Sequence, residues 1–337
     1  MVSKASNIES VLVYVGLDRL GDGLLKLPFV RGLRRTYPNA KLTWLAGKET
    51  TVYARSLAPL VDGVLDEVIE YGGVGITPKE LIGTRPLKGR RFDLVIDTQK
   101  IFWTSLAARR IRHGTFVSPA ARFLLSNKRP PKGYKSPRAM QRQMLDLLEI
   151  TSGEKHPTPA RLDLTLPAPV IAHAAELLPN GQTYIAFAPG SGGRPKCWPL
   201  ANFLALAQQV SASGAVPVFL IGPQEEEWST EIKAVLPNAK FPLQEGGGAA
   251  RHNYDPLLTI ALADRLTAAV SNDSGIAHML AVGGAPLVAM YGPTVYEKFP
   301  PMTDQIEVVR AQEFGGREME LIPVDAVSAA LQRLPSA

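Results

Sequence analysis

Short, nearly continuous apolar runs alternate along the chain with longer stretches in which apolar residues recur every three to four positions. The runs "VLVYVGL" (11–17), "AKLTWLAG" (40–47), "VLDEVIEYG" (64–72) and "FDLVIDTQ" (92–99) predict buried strands. Between the first two, "LLKLPFVRGLRRTYP" places Leu24, Leu27, Phe29, Val30 and Leu33 on one helix face. A stretch dense in Pro, Thr and Ser, "TSGEKHPTPARLDLTLPAP" (151–169), interrupts the series as a linker or domain edge. The alternation then resumes. "TYIAFAPG", "AVPVFLIG", "LTAAVSND" and "APLVAMYGP" predict strands, and "LANFLALAQQVSASG", "EEEWSTEIKAVL", "DPLLTIALADRL" and "SGIAHMLAVGG" predict helices. Strand and helix in regular alternation predict α/β domains with parallel sheets, and two such series predict two doubly wound domains. Ligands of these sheets lie at the carboxyl ends of the strands, so the turns after the strands are where chemistry is sought.

Composition supports this reading. A chain of 337 residues exceeds the usual size of a single core, and 45% hydrophobic with 20% charged residues describes a soluble globular protein. Cys197 is the only cysteine, which excludes an internal disulfide framework and a cysteine zinc cluster and points to the cytoplasm. No run approaches twenty apolar residues, and the first apolar run is too short for a signal segment.

Charge changes the picture more. The net charge is +6, but between Arg85 and Arg142 fifteen Lys and Arg face only Asp93 and Asp97, so this segment carries +13. A solvated basic face is the bland account. An anionic small molecule or lipid headgroup is the functional one. No RNP pattern, zinc finger or helix-turn-helix accompanies the basic residues, so nucleic acid is not expected as a partner.

Four post-strand turns carry candidate chemistry. In "GLDRLGDGLLKLP", Gly21 and Gly23 flank Asp22, read either as a helix N-cap or as a functional carboxylate, with Asp18 a nearby alternative carboxylate for which an ordinary loop residue is the favoured reading. The spacing is not GxGxxG, which disfavours a dinucleotide oxidoreductase. In "APGSGGRPKCWP", Gly190, Gly192 and Gly193 permit close ligand approach, while Ser191 and Lys196 suit a diphosphate; a flexible connection is the alternative. Glu225, Glu226 and Glu227 open a helix, where capping accounts for at least two of them and one is available to ribose hydroxyls. In "SNDSGIAHML", Gly275 and the first helical amides form an anion site, yet Asp273 would repel a bare phosphate. A sugar nucleotide, hydroxylated at one end and anionic at the other, reconciles the two. His278 lies within reach of the same turn, though a packed helix residue is the commoner role. No residues fall at metal-ligand spacing, so no built-in metal is expected.

The segments "LGDGLLKLPFVRGLRRTYPNAKLTWLAG", "APGSGGRPKCWP" and "SNDSGIAHMLAVGGAPLVAMYGPT" together resemble glycosyltransferase family nine, the ADP-heptose:lipopolysaccharide heptosyltransferases, in the family's order and over nearly the whole chain. The resemblance implies a GT-B architecture, two Rossmann-like domains facing across a cleft. Residues 1–168 would bind acceptor and 169–320 the nucleotide sugar, with 321–337 packing back on the first domain. It implies Asp22 as general base, Lys196 as the phosphate-contacting lysine and Ser191 as the hydroxyl of the same loop. Asp273 would hold donor sugar hydroxyls, Ser274, Gly275 and His278 would stand beside the diphosphate, and Glu225 would contact ribose. Two departures are Cys197, where a basic residue is common, and the basic stretch 128–142, which does not align residue by residue.

The implied function is inverting, metal-independent transfer of heptose from ADP-heptose to a lipopolysaccharide inner core or related anionic glycolipid. It would take place in the cytoplasm with peripheral contact at the inner membrane face, and no cofactor beyond the donor substrate is implied. A GT-B transferase with another donor, a sugar-nucleotide epimerase and a non-catalytic sugar-nucleotide or glycolipid binding module remain as alternatives.

Overall fold

The apolar runs form two parallel five-stranded sheets, one in each of the units Met1–Pro159 and Ala160–Ala337 into which the chain divides. The computed structural model describes residues 8–245 and 254–335.

The first unit contains β1 (Ser10–Val15), α1 (Leu20–Thr36), β2 (Lys41–Ala46), β3 (Glu67–Ile69), β4 (Arg91–Asp97), α2 (Phe102–Arg109), β5 (Arg112–Val117) and α3 (Met140–Ser152). Its strand order is β3-β2-β1-β4-β5. β1 is central because Val11 to Val15 are buried on both faces, with Val11 registered between Leu42 and Leu94. The expected strand over 64–72 shrinks to three half-buried residues at the sheet edge, where acidic and apolar residues alternate too irregularly for more. α2, β5 and α3 were not among the expected elements. β5, "RHGTFV", is polar at the start because it is the opposite edge strand.

The second unit contains α4 (Ala168–Leu177), β6 (Tyr184–Ala188), α5 (Leu200–Ala212), β7 (Val216–Phe219), α6 (Trp228–Val235), α7 (Pro242–Glu245), α8 (Pro256–Ala263), β8 (Ala268–Asn272), α9 (Gly275–Val282), β9 (Leu287–Tyr291), β10 (Ile306–Arg310) and α10 (Val324–Arg333). The order β10-β9-β8-β6-β7 buries β6, β8 and β9 completely. Alternate residues of these strands face different layers. Phe187, Val270 and Met290 pack with residues of α5, α6 and α10, whereas Ala186, Ala269 and Ala289 pack with α4, α8 and α9. The large residues fill one layer and the alanines let helices approach in the other.

The sequence places the domain boundary at 168, and the chain divides at Pro159. The segment 321–337, expected to pack back on the first domain, supplies Ile322, Val327, Ala330 and Leu334 to the core of the second unit. There the Trp198 indole N–H donates to the Ile322 carbonyl at 2.9 Å.

The chain reverses direction across each sheet once, between β1 and β4 in the first unit and between β6 and β8 in the second. The crevice at such a switch point, outside the carboxyl ends of the strands, is where an α/β sheet binds ligand.

Candidate functional site

In the second unit the loops after β6 and β8 meet at the switch point. Asn272, the fully buried last residue of β8, joins them: its Oδ1 accepts from the Trp198 N–H at 3.0 Å and its Nδ2 donates to the Pro189 carbonyl at 2.7 Å. The glycine loop between 189 and 198 is thereby tied at both ends to one side chain. Within that frame the Ser191 hydroxyl donates to the Asp273 carbonyl at 3.1 Å, and Lys196 Nζ pairs with Asp273 Oδ2 at 3.1 Å. Cys197 turns inward, its Sγ lying 3.7 Å from the Gly193 carbonyl.

Glu225, in the turn after β7, reaches the same loop. A Cβ at Gly190 would sit 2.7 Å from the Glu225 carboxyl carbon, so a larger residue there would displace the Glu225 carboxylate from its present position. Burial pushes the Glu225 carboxyl above its ordinary value, against the opposing influence of Arg194 and nearby backbone amides. Glu225 and the two acids after it lie in the turn preceding α6, which starts at Trp228.

Ser274 is the N-cap of α9 and Gly275 its first residue. Ser274 makes no capping bond through its side chain, and its Oγ is buried without a hydrogen-bond partner. The first-turn amides of a helix have no partners within it and carry its positive end. His278, one turn along, is 6% exposed with Nδ1 unpartnered. Burial lowers its pKa to about 4, with Lys196 acting in the same direction and Asp273 against it, so the ring is neutral at pH 7. Seven of the eight residues singled out in the sequence, all but Asp22, thus cluster at the carboxyl edge of one sheet.

Asp22 belongs to the first unit. It lies in the first turn of α1, half-buried, and among the described residues its side chain has no hydrogen-bond or ion-pair partner. The N-cap is Arg19, which excludes the capping reading of Asp22. Asp18 is corrected as well. Far from an ordinary loop residue, it is buried and accepts from the Lys26 ammonium, from Trp44 Nε1 at 2.8 Å and from Thr51 Oγ1 at 3.0 Å. These bonds fix the loop that delivers Asp22. Tyr53 adds a bond from its hydroxyl to the Gly23 carbonyl at 2.7 Å.

Across the first switch point, at the end of β4, stands Asp97, which the sequence reading passed over. It is fully buried and accepts from the Ser118 hydroxyl at 2.7 Å and the Gln99 N–H at 2.8 Å. Burial raises its pKa to about 6, offset by hydrogen bonds from Ser105, Ser118 and Gln99. A carboxylate closing the apolar run "DLVID" was its visible signal.

The basic segment separates into two groups. Arg90 pairs with Glu67, Arg142 with Asp146 and Glu149, and Arg109, Arg110 and Lys128 bond backbone carbonyls. Arg85, Lys88, Arg91, Arg112, Arg122, Lys132, Lys135 and Arg138 are exposed, and among the described residues their side chains have no hydrogen-bond or ion-pair partner. Part of the +13 is therefore structural and part is presented to solvent. Among the described residues no group of three or more His, Cys, Asp and Glu is placed to hold a metal ion, and no helix is long and apolar enough to cross a membrane.

The family model described as glycosyltransferase family 9 (heptosyltransferase) matches residues 83–320. The chain is 30% identical to lipooligosaccharide heptosyltransferase 2 of Haemophilus influenzae over 38% of its length and 37% of that protein's. It is 24% identical to lipopolysaccharide heptosyltransferase 2 of Escherichia coli over 89% and 87% of the two chains. The fold matches a family 9 glycosyl transferase from Veillonella parvula, with a TM-score of 0.72, 20% identity and 98% of both chains covered. It also matches ADP-heptose LPS heptosyltransferase II of E. coli, with a TM-score of 0.67, 22% identity and coverage of 96% and 97%.

Proposed function

The chain belongs to glycosyltransferase family 9, and from that premise we propose that it transfers a heptose from ADP-heptose to an anionic glycolipid of the lipopolysaccharide inner core, with inversion at the anomeric carbon. The observation that carries this reading is the cluster at the second switch point, where Ser191, Lys196 and Asp273 adjoin the amino end of α9. A cation and helix amides suit a diphosphate, and the adjacent carboxylate suits sugar hydroxyls. Glu225, held against Gly190 one loop away, takes the ribose.

In the reaction Asp22 accepts the proton of an acceptor hydroxyl as that oxygen attacks the anomeric carbon. The bond from that carbon to the diphosphate oxygen breaks, and its electron pair leaves with ADP. Lys196 turns from Asp273 to the diphosphate, and with the amides of Ser274 and Gly275 it stabilises the charge that develops there. Neutral His278 adds an imidazole to the same oxygens without adding a charge. The exposed cations of the first unit attract the acidic acceptor and the cytoplasmic face of an anionic membrane. These roles are supported by the positions of the residues and by the heptosyltransferase names of the relatives.

Incubation with ADP-heptose and a heptose-deficient lipopolysaccharide core tests the reading. It predicts an acceptor heavier by one heptose and one ADP released per transfer. Conversion of the donor without any acceptor product would instead favour epimerase chemistry and remove the assignment.

A further inference from the structure

The carboxyl edge of the second sheet extends beyond the cluster already described. With strands in the order β10-β9-β8-β6-β7, the loops follow one another along the edge in a line. If ribose lies after β7 and the diphosphate between β6 and β8, the next loop in the line is the one after β9.

That loop borders a cavity of about 250 Å³ lined by Tyr291, Thr294, Tyr296, Arg310, Gln312 and Arg317 among others. Two of its lining residues carry hydroxyls, Tyr291 Oη and Thr294 Oγ1, that are buried and have no hydrogen-bond partner. Tyr291 is 1% exposed, and its ring meets that of Tyr296 edge-on at 5.3 Å. Burial, and then the charge of Asp273, raise the Tyr291 pKa, so the group stays a hydroxyl able to donate and accept. The Asp273 N–H donates to the carbonyl of Met290, the neighbour of Tyr291, at 3.0 Å, so the cavity adjoins the cluster.

Its charge is largely balanced. Arg310 pairs with Glu297 at 3.0 Å and lies over the Tyr296 ring, while Arg317 is at the exposed rim. With its one excess charge, Arg317, at the exposed rim, a wall with two orphan hydroxyls and aromatic sides suits a polyol. The volume is below the roughly 300–1,000 Å³ that holds a drug-sized ligand, and so suits one sugar residue better than a nucleoside.

We propose that this cavity selects the transferred sugar, with Tyr291 and Thr294 bonding the hydroxyls of the exocyclic side chain that distinguishes a seven-carbon sugar from a hexose. The proposal rests on the nucleotide-sugar reading above. A site built to bond a hydroxyl discriminates against ligands that lack it, because its own polar groups are then left buried and unpaired.

Titration of ADP, ADP-heptose and ADP-mannose into the wild type, Tyr291→Phe, Thr294→Val and the double variant tests it. Each substitution removes a hydroxyl and nearly preserves shape. The wild type should bind ADP-heptose at least about tenfold more tightly than ADP-mannose, with each single variant losing about five- to tenfold of that preference. ADP itself should bind all four proteins alike, which also reports that they are folded. An unchanged heptose preference in the double variant, with ADP still bound, overturns the sugar pocket and leaves the nucleotide site standing. So does a change confined to the KM for acceptor, which would assign the cavity to the acceptor. Failure of the wild type to bind ADP overturns both readings together.

Discussion

Asn272 shows how much one buried side chain can hold. Its amide satisfies an N–H and a carbonyl of the glycine loop, at Trp198 and Pro189, and is itself fully buried. Truncation leaves two backbone groups unpaired, each costing about 1–3 kcal/mol. Asn272→Ala should therefore lose about 2–6 kcal/mol in urea unfolding and weaken ADP binding through the loosened loop. Unchanged stability would show that the amide is replaceable. In the sequence Asn272 was visible only as part of "SNDSG", beside residues whose chemistry drew more attention. Asp18 was missed for a related reason. Its partners Trp44 and Thr51 lie far away along the chain, and only folding brings them to one carboxylate.

Among the elements, α1 depends on a close approach rather than on propensity. A Cβ at Gly23 would come within 2.5 Å of Val52 Cγ2 and 3.2 Å of Leu57 Cδ1, so the helix packs tightly on the turns that follow β2. Gly23→Ala should cost about 1–3 kcal/mol through overpacking and tilt the turn that carries Asp22. Thermal unfolding checks the first effect and turnover the second, and a variant as stable and as active as wild type would show that the turns yield freely. The central strands were legible because both faces are apolar, as in "VLVYV" and "YIAFA". Edge strands such as β10, "IEVVR", are half polar, and periodicity does not separate them from loop. Asp22 was found as chemistry but placed one element too early, since the Gly21-Asp22-Gly23 spacing reads as a turn while the helix already starts at Leu20.

At the scale of the whole molecule, two buried titrating groups act oppositely on stability. His278 has a folded pKa near 4 against 6.5 when free, so its contribution is intact above pH 6.5 and is lost as pH falls toward 4, by about 3 kcal/mol. Asp97 is raised from 3.8 to about 6, so its contribution is intact below 3.8 and is lost as pH rises through 6, also by about 3 kcal/mol. Relative to wild type, His278→Gln should gain stability as pH falls from 6.5 to 4, and Asp97→Asn should gain as pH rises over 4 to 6. Denaturant unfolding of each variant across this range checks the signs, and parallel curves would refute the assignments. The two-sheet plan was legible from alternation alone. The placement of α10 in the second core was not, because the amphipathic "PVDAVSAALQRL" fits a helix on either unit equally well.

The central claim is a division of labour, with the second unit holding the nucleotide sugar and Asp22 of the first removing the acceptor proton. Steady-state transfer and ADP titration of Asp22→Asn test it together. ADP affinity should stay within about twofold of wild type while turnover falls about 10²- to 10⁴-fold. Transfer near the wild-type rate by that variant would contradict the account.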